Sequence, residues 1–218
     1  MNTAKTTLAF AVLFVAAAVS ATAQSLEKRH QIELRLGLWN QVNNVRTDVG
    51  AGGVSTSVGG SGFLGGLAYG HWLSEGFGLR VSVGAMAASV DTEIDGSGVS
   101  TETAVITQLL LGMRYYFPRS TYGSSVRPFL AAGVGPFIGS QVASEVGAVV
   151  TVEAKTESAI GGELGAGVDF LLGRHFVTSV GVVFALMTDF QQPIGGSDNY
   201  SGPQLTIGFG YVFGRGSS

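Results

Sequence analysis

Hydrophobic and polar residues alternate with a period of two in segment after segment of this chain, beginning at Gln31-Ile32-Glu33-Leu34-Arg35-Leu36-Gly37-Leu38-Trp39. Successive side chains of a β-strand project to opposite faces, so Glu33 and Arg35 share one face and four aliphatic residues share the other. The same period predicts strands over 31–39, 62–72, 77–90, 103–117, 127–139, 158–171, 176–188 and 203–213. The connections 73–76 and 172–175 are tight and 118–126 is of modest length. The segments 40–60, 91–100, 140–157 and 189–202 are mostly longer and rich in Gly, Ser, Thr and Asp. Three short turns at one end and four long loops at the other describe an even-stranded meander with both termini at the short-turn end.

Sorting the faces decides what surrounds the sheet. One face carries Ile32, Leu34, Leu36 and Leu38, then Phe77, Leu79, Val81 and Val83, then Leu109, Leu111, Met113, Tyr115 and Phe117. It continues with Leu164, Ala166, Val168 and Phe170, with Val180, Val182, Phe184 and Leu186, and with Leu205, Ile207, Phe209, Tyr211 and Phe213. The opposite face holds Gly37, Gly84, Gly112, Gly133, Gly135, Gly165, Gly167, Gly208 and Gly210 among its polar residues. The second strand is ambiguous, since Phe63, Leu67 and Tyr69 compete with Leu64 and Trp72 for the apolar face. In a soluble, lipocalin-like barrel the glycine face would meet water, where glycine weakens strands and Lys, Glu and Thr are expected instead. Lining an eight-stranded barrel, the same small residues suit an interior just wide enough to be filled by side chains. The leucine face then meets lipid. The fold class expected is all-β, an eight-stranded antiparallel up-and-down transmembrane β-barrel.

Composition agrees with that choice. Charged residues are 12% of the chain against about 25% in ordinary domains, and hydrophobic residues are 45%. Six ionisable residues fall on the inner face: Glu33, Arg35, Arg80, Arg114, Glu163 and Asp169, three of each sign. An unpaired buried charge costs several kcal/mol, so an enclosed interior is expected to neutralise itself as an ion-pair network. Phe77, Tyr115, Phe117, Phe170, Phe176, Tyr211 and Phe213 lie near the short-turn ends of their strands, where an interfacial girdle belongs. Lys5, the apolar run Leu8 to Val19 and Ala21-Thr22-Ala23 read as a signal peptide over 1–23, leaving the barrel over 24–218. The chain has no cysteine, so no disulfide staples it, and a net charge of -3 suggests no nucleic-acid partner.

The runs Pro128-Phe129-Leu130-Ala131-Ala132-Gly133-Val134-Gly135 and Gly165-Ala166-Gly167-Val168-Asp169-Phe170 resemble the small outer-membrane barrels of Gram-negative bacteria, the OmpA-like and OmpW-like porin-family barrels. The resemblance extends from about Gln31 to Phe213 and implies an outer-membrane protein with its termini in the periplasm and with lipopolysaccharide and membrane lipid as surroundings. Leu205 to Phe213 resembles the carboxy-terminal signal read by the barrel-assembly machinery, although Gly214-Arg215-Gly216-Ser217-Ser218 follow the aromatic that usually ends it. Those residues are too few for a peptidoglycan-binding domain, so no tethering role is implied.

Candidate chemistry is sparse. Asp91, Glu93, Asp95 and Glu102 follow D-x-E-x-D-G-x5-E, close to the calcium loop of an EF-hand, with Gly96 at the turn position. Position three is Glu rather than Asp or Asn, and the flanks read as strands, so an acidic solvated hairpin loop is the preferred reading and Ca2+ the alternative. No other cofactor is expected. The three histidines, His30, His71 and His175, fall beside the amino terminus or the short turns, away from the leaflet in which the lipid-A-modifying barrel enzymes work. A His-dependent acyl transfer needs its base within hydrogen-bond reach of nucleophile and substrate. Arg35, Arg80 and Arg114 could line an anion pore, but aqueous channels belong to about 16 strands or more, and eight leave a filled lumen. Gly50-Ala51-Gly52-Gly53 lacks the Lys-Ser/Thr ending of a phosphate loop. The expected function is therefore non-enzymatic, structural or mediated by exposed loops whose ligand is unknown. A binding or transport module for small hydrophobic molecules is the alternative, and a lipid-A-modifying enzyme the third.

Overall fold

Period-two alternation is realised as antiparallel strands in the computed structural model, which describes residues 26–42, 46–49, 54–94, 99–118, 125–145 and 151–214. In chain order the strands are β1 (His30–Asn40), β2 (Arg46–Val49), β3 (Val54–Ser74), β4 (Phe77–Ile94), β5 (Val99–Tyr116), β6 (Val126–Glu145), β7 (Thr151–Leu172), β8 (Phe176–Met187) and β9 (Gly202–Phe213). Each of β3 to β9 pairs with its sequence neighbour, and β1 pairs with both β9 and β3. The register His30↔Phe213 on one side and His30↔His71 on the other closes an eight-membered ring. β2 stands outside that ring and, among the described residues, pairs with the far end of β3 alone. Closure removes the unpaired edges that an open sheet would expose, which lipid requires because it offers no hydrogen bonds.

The strands are longer at the long-loop end than the sequence suggests. β3, β4, β5, β6 and β7 span 21, 18, 18, 20 and 22 residues, whereas β1, β8 and β9 span 11, 12 and 12. The stretches 54–60, 91–94, 99–100, 140–145 and 151–157, read from sequence as loop, belong to the strands and continue the ladders. These stretches are rich in Ser, Thr and Gly and lack the strict alternation of the other strands, while their Val and Thr residues favour extended backbone. The segment 189–201 stays irregular and folds back over the barrel. Residues 1–23, read as a signal peptide, lie outside the described residues.

The lipid face is as sorted from the pattern. Leu36, Leu111, Leu164, Val182 and Ile207 are exposed, while Glu33 is 2% and Asp169 1% exposed. The ambiguous strand is settled by register: Phe63, Leu67 and Tyr69 face outward, and Leu64, Ala68 and Trp72 face inward. That inner face is apolar because the lumen is layered. At the short-turn end Trp72, Tyr116, Phe129, Leu171, Val177 and Val212 pack around Leu26. At the long-loop end Trp39, Met86, Ile106 and Phe137 pack with Phe190, Ile194 and Tyr200 of the 189–201 segment. The charged residues lie between these two apolar layers.

Candidate functional site in the barrel lumen

Strand alternation brings Glu33 and Arg35 of β1 into the lumen, and it does the same for Arg80 of β4, Arg114 of β5 and both Glu163 and Asp169 of β7. All six inner residues expected from sequence meet there. Glu33 receives Arg80 at 2.7 Å and Arg114 at 3.2 Å, and Gln31 donates to it at 3.1 Å. Arg35 faces Glu163 at 3.4 Å. Arg114 also reaches Asp169 at 3.4 Å, which accepts from the Ser179 hydroxyl at 2.6 Å and the Tyr116 phenol at 2.9 Å. The belt thus links strands on opposite sides of the ring through side chains alone. Gly208 is part of the fit, because a Cβ there would sit 2.7 Å from Glu33 Oε1. The gaps left beside the belt each have room for about one water.

Sequence reasoning missed several members. Arg127 is buried, its guanidinium lying 4.5 Å over the Tyr116 ring and donating to the Glu75 carbonyl. Its parity with Gly133 and Gly135 already placed it inward, but its position at the edge of the strand kept it out of the charge balance. The turn residue Glu75 supplies a counter-charge to it, at 3.9 Å. Tyr116, Ser179 and Gln31 also lie on the inner face by parity, but uncharged groups raise no question of neutrality and so gave no signal.

Both ends of the belt are closed by short segments. Below it, Leu26 to Arg29 form a turn with Lys28 at φ 62, and Lys28 N–H and Trp72 N–H make backbone bonds of 2.9 and 3.0 Å between this turn and β3. Leu26 N–H donates to Glu75 Oε1 at 2.9 Å. Above it, Asn199 clamps the loop by donating to the Met187 carbonyl at 3.0 Å and to Asp189 at 2.7 Å. Gly195 and Gly196 supply the positive φ values, 55 and 75, of the turn between Ile194 and Ser197. Trp39 Nε1 donates to the Tyr200 carbonyl at 3.2 Å. The Tyr200 phenol donates to the Ile194 carbonyl, and burial pushes its pKa up to about 12.

The histidines stay at the short-turn rim. His30 Nδ1 lies 2.6 Å from the Tyr69 hydroxyl, and His175 stacks on Tyr211. Tyr211, Phe213, Phe176, Tyr115 and Phe117 contact one another in two groups there, as an interfacial girdle would. Among the described residues no group of three or more His, Asp or Glu is placed to hold a metal ion. For the acidic motif, the flanks are strands as expected, with Asp91 opposite Thr101 and Glu93 opposite Val99. Asp95 and the side chains of Asp91, Glu93 and Glu102 lie outside the described residues.

A closed ring of eight antiparallel strands, apolar outside and charge-paired inside, defines an integral outer-membrane barrel. The model of the outer membrane protein beta-barrel domain matches residues 9–213, and the chain belongs to that family. Among solved structures it is similar to the outer membrane protein OprG from Pseudomonas aeruginosa, at 17% identity and TM-score 0.51, covering 87% of this chain and 97% of that one. Ail, the attachment invasion locus protein of Yersinia pestis, is similar at 15% identity and TM-score 0.50, covering 86% and 99%. Neisserial surface protein A is similar at 13% identity and TM-score 0.50, covering 85% and 97%. At these identities the likeness is one of fold. No curated protein matches the sequence.

Proposed function

We propose that this protein is a non-enzymatic outer-membrane barrel that acts structurally and through its long-loop end, with the short turns and both termini in the periplasm. The observation that carries the reading is the filled lumen. An ion-pair belt spans the ring and apolar layers close it above and below, while five of the strands, at 18 to 22 residues, rise well beyond the length a bilayer needs, about 9–11 residues. Such a molecule offers the exterior a raised sheet and loops rather than a path. Lipopolysaccharide and phospholipid are its lateral partners, and the barrel-assembly machinery its route of insertion through β9. The test is threefold. The mature chain is expected to stay with outer membranes after a carbonate wash, to show no steady conductance in planar bilayers, and to leave lipid-A mass profiles unchanged when removed. Steady unit conductance, or an altered lipid-A profile, overturns it.

A second reading, a binding or transport module for small hydrophobic molecules, is favoured by one feature. Phe190, Ile194 and Tyr200 occupy an apolar chamber bounded by Trp39, Met86 and Phe137, and a groove of about 520 Å³ on the outer wall, lined by Leu38, Phe63 and Leu205, reaches Trp39 from the lipid side. An apolar guest that displaced the loop would change the emission of Trp39. Titration of the detergent-solubilised Trp72→Phe variant with a long-chain alkane or fatty acid is expected to leave Trp39 emission unchanged if the first reading holds. A saturable change favours the second.

A further inference from the structure

The short-turn rim carries an imidazole pair that the sealed-barrel function does not use. His30 of β1 and His71 of β3 are direct cross-strand partners, and their parity with Ile32 and Tyr69 places both on the outer face. Opposed residues of an antiparallel pair hold their Cβ atoms about 4.5–5.5 Å apart. Here the ring centroids lie 4.6 Å apart with an interplanar angle of 25°, a stacked pair on one face of the wall. Two imidazole nitrogens on one tetrahedral ion stand about 3.3 Å apart, as metal–nitrogen bonds of about 2.0–2.1 Å dictate. Both residues are half-buried at the rim, so side-chain rotation is what must turn one nitrogen of each ring toward a shared ion.

Two further features suit a ligand pair. A metal-bound histidine ordinarily uses one ring nitrogen and has the other oriented by a hydrogen-bonding partner. His30 has that partner, since Nδ1 lies 2.6 Å from the Tyr69 hydroxyl, and with Nδ1–H as donor the Nε2 lone pair is left for an ion. The opposite side of the His30 ring is braced by Phe213, 5.5 Å away. His71 has a buried Nδ1 without any hydrogen-bond partner, a group whose burial is otherwise uncompensated.

We propose that His30 and His71 form a two-imidazole site for a borderline divalent transition metal, binding Cu2+ more tightly than Zn2+ or Ni2+, with the remaining positions open to water or to a lipid phosphate. The preference follows from nitrogen ligation, for which affinity rises to Cu2+ along the first-row series. The site bridges the strand that closes the barrel to its neighbour, so occupancy staples β1 to β3 at the rim. Hard cations such as Ca2+ and Mg2+ prefer oxygen and are excluded.

The experiment uses the full mature chain, untagged and folded in detergent, with each variant confirmed as a barrel by heat-modifiable gel mobility. Titration with Cu2+ alone is expected to give one equivalent per chain, with an electron-paramagnetic spectrum showing coupling to two imidazole nitrogens. His30→Gln and His71→Gln each abolish the two-nitrogen signal, Tyr69→Phe weakens binding by about 10- to 100-fold, the range for loss of an orienting partner, and His175→Gln changes nothing. One equivalent with the same spectrum in the double variant His30→Gln/His71→Gln overturns the assignment, as does absence of Cu2+ binding below millimolar concentration in the parent chain. Repeating the titration in phosphate-free detergent and in phospholipid nanodiscs separates the two sources of the open positions: tighter binding only in the nanodiscs identifies a lipid phosphate as a ligand, and equal binding identifies water.

Discussion

Glu33 is the residue on which the belt turns, because two guanidinia and one amide converge on it while it is 2% exposed. Removing its charge leaves Arg80 facing an uncharged amide and Arg114 with Asp169 alone. Glu33→Gln is therefore expected to cost about 3–5 kcal/mol in urea unfolding in detergent, the range for breaking a buried pair from one side. The simpler pair Arg35 and Glu163, 3.4 Å apart, suits a double-mutant cycle. Arg35→Met and Glu163→Gln are each expected to destabilise more than half as much as the double variant does, because each alone strands a charge. Strict additivity with near-neutral singles would place these side chains in water. At the loop, the Tyr200 phenol offers a pH test. Its pKa is raised in the folded state to about 12, so the neutral form is the one the fold favours. That stabilisation is complete below the ordinary phenol value of about 10 and fades as pH climbs through the raised one. Alkaline titration is expected to release a late tyrosinate signal together with protease access to 189–201, and Tyr200→Phe to remove the late signal.

A strand in this barrel is an element with two unlike solvents, and substitutions should read out which one a face meets. Leu36 and Leu111, 48% and 62% exposed, point at lipid, so Leu36→Arg or Leu111→Arg is expected to cost about 2–4 kcal/mol near the bilayer midplane and to lower the folded fraction on gels. Gly167 points the other way, and a Cβ there would lie 2.6 Å from the Phe129 ring. Gly167→Leu is expected to block closure of the lower apolar layer by overpacking. Normal assembly of all three variants would show that the inside and outside had been exchanged. The unequal strand lengths belong to this scale too. Strands of 18 to 22 residues beside ones of 11 or 12 mean that the wall is tall over β3 to β7 and low at β8, β9 and β1. The 189–201 loop fills the low side, where Lys155 Nζ of β7 donates to the Pro193 carbonyl at 2.8 Å and Gln141 of β6 accepts from Gly195 at 2.7 Å.

As a whole molecule the barrel is closed three times over, by the loop and its apolar layer, by the ionic belt, and by the lower layer under which Leu26 is tucked. The variant Phe190→Ser/Ile194→Ser is expected to loosen the loop yet remain silent in planar bilayers, because the belt and the lower layer still close the lumen. Current in that variant would mean that the belt is solvated and that the loop is the gate. Closure also joins residues at opposite ends of the chain, as in Gln31↔Val212, so pairing β1 with β9 closes a loop of nearly the whole barrel. Pairings of such sequence separation fold slowly.

The number of barrel strands, their order, their lipid face and the six charged residues of the belt were legible in the sequence, because a strand's period of two assigns every side chain to a face and lipid tolerates only one kind of face. Leu34 and Glu33 needed nothing more. The second strand was not legible, because Leu64 and Trp72 enter apolar layers of the lumen while Phe63 and Leu67 meet lipid, and a segment apolar on both faces carries no period. Its register against β1 decided it. The extended hairpins were hidden because their Ser-, Thr- and Gly-rich sequences carry no contrast between alternate positions. Partner choice was beyond the pattern as well: parity put Arg114 inside, but only the width of the closed ring brought it to Glu33 and Asp169 together. The pairing of Arg127 with Glu75, the seal made by Phe190, Ile194 and Tyr200, and the meeting of His30 with His71 all depend on which distant segments the ring makes neighbours, and local periodicity holds no record of distance across a lumen.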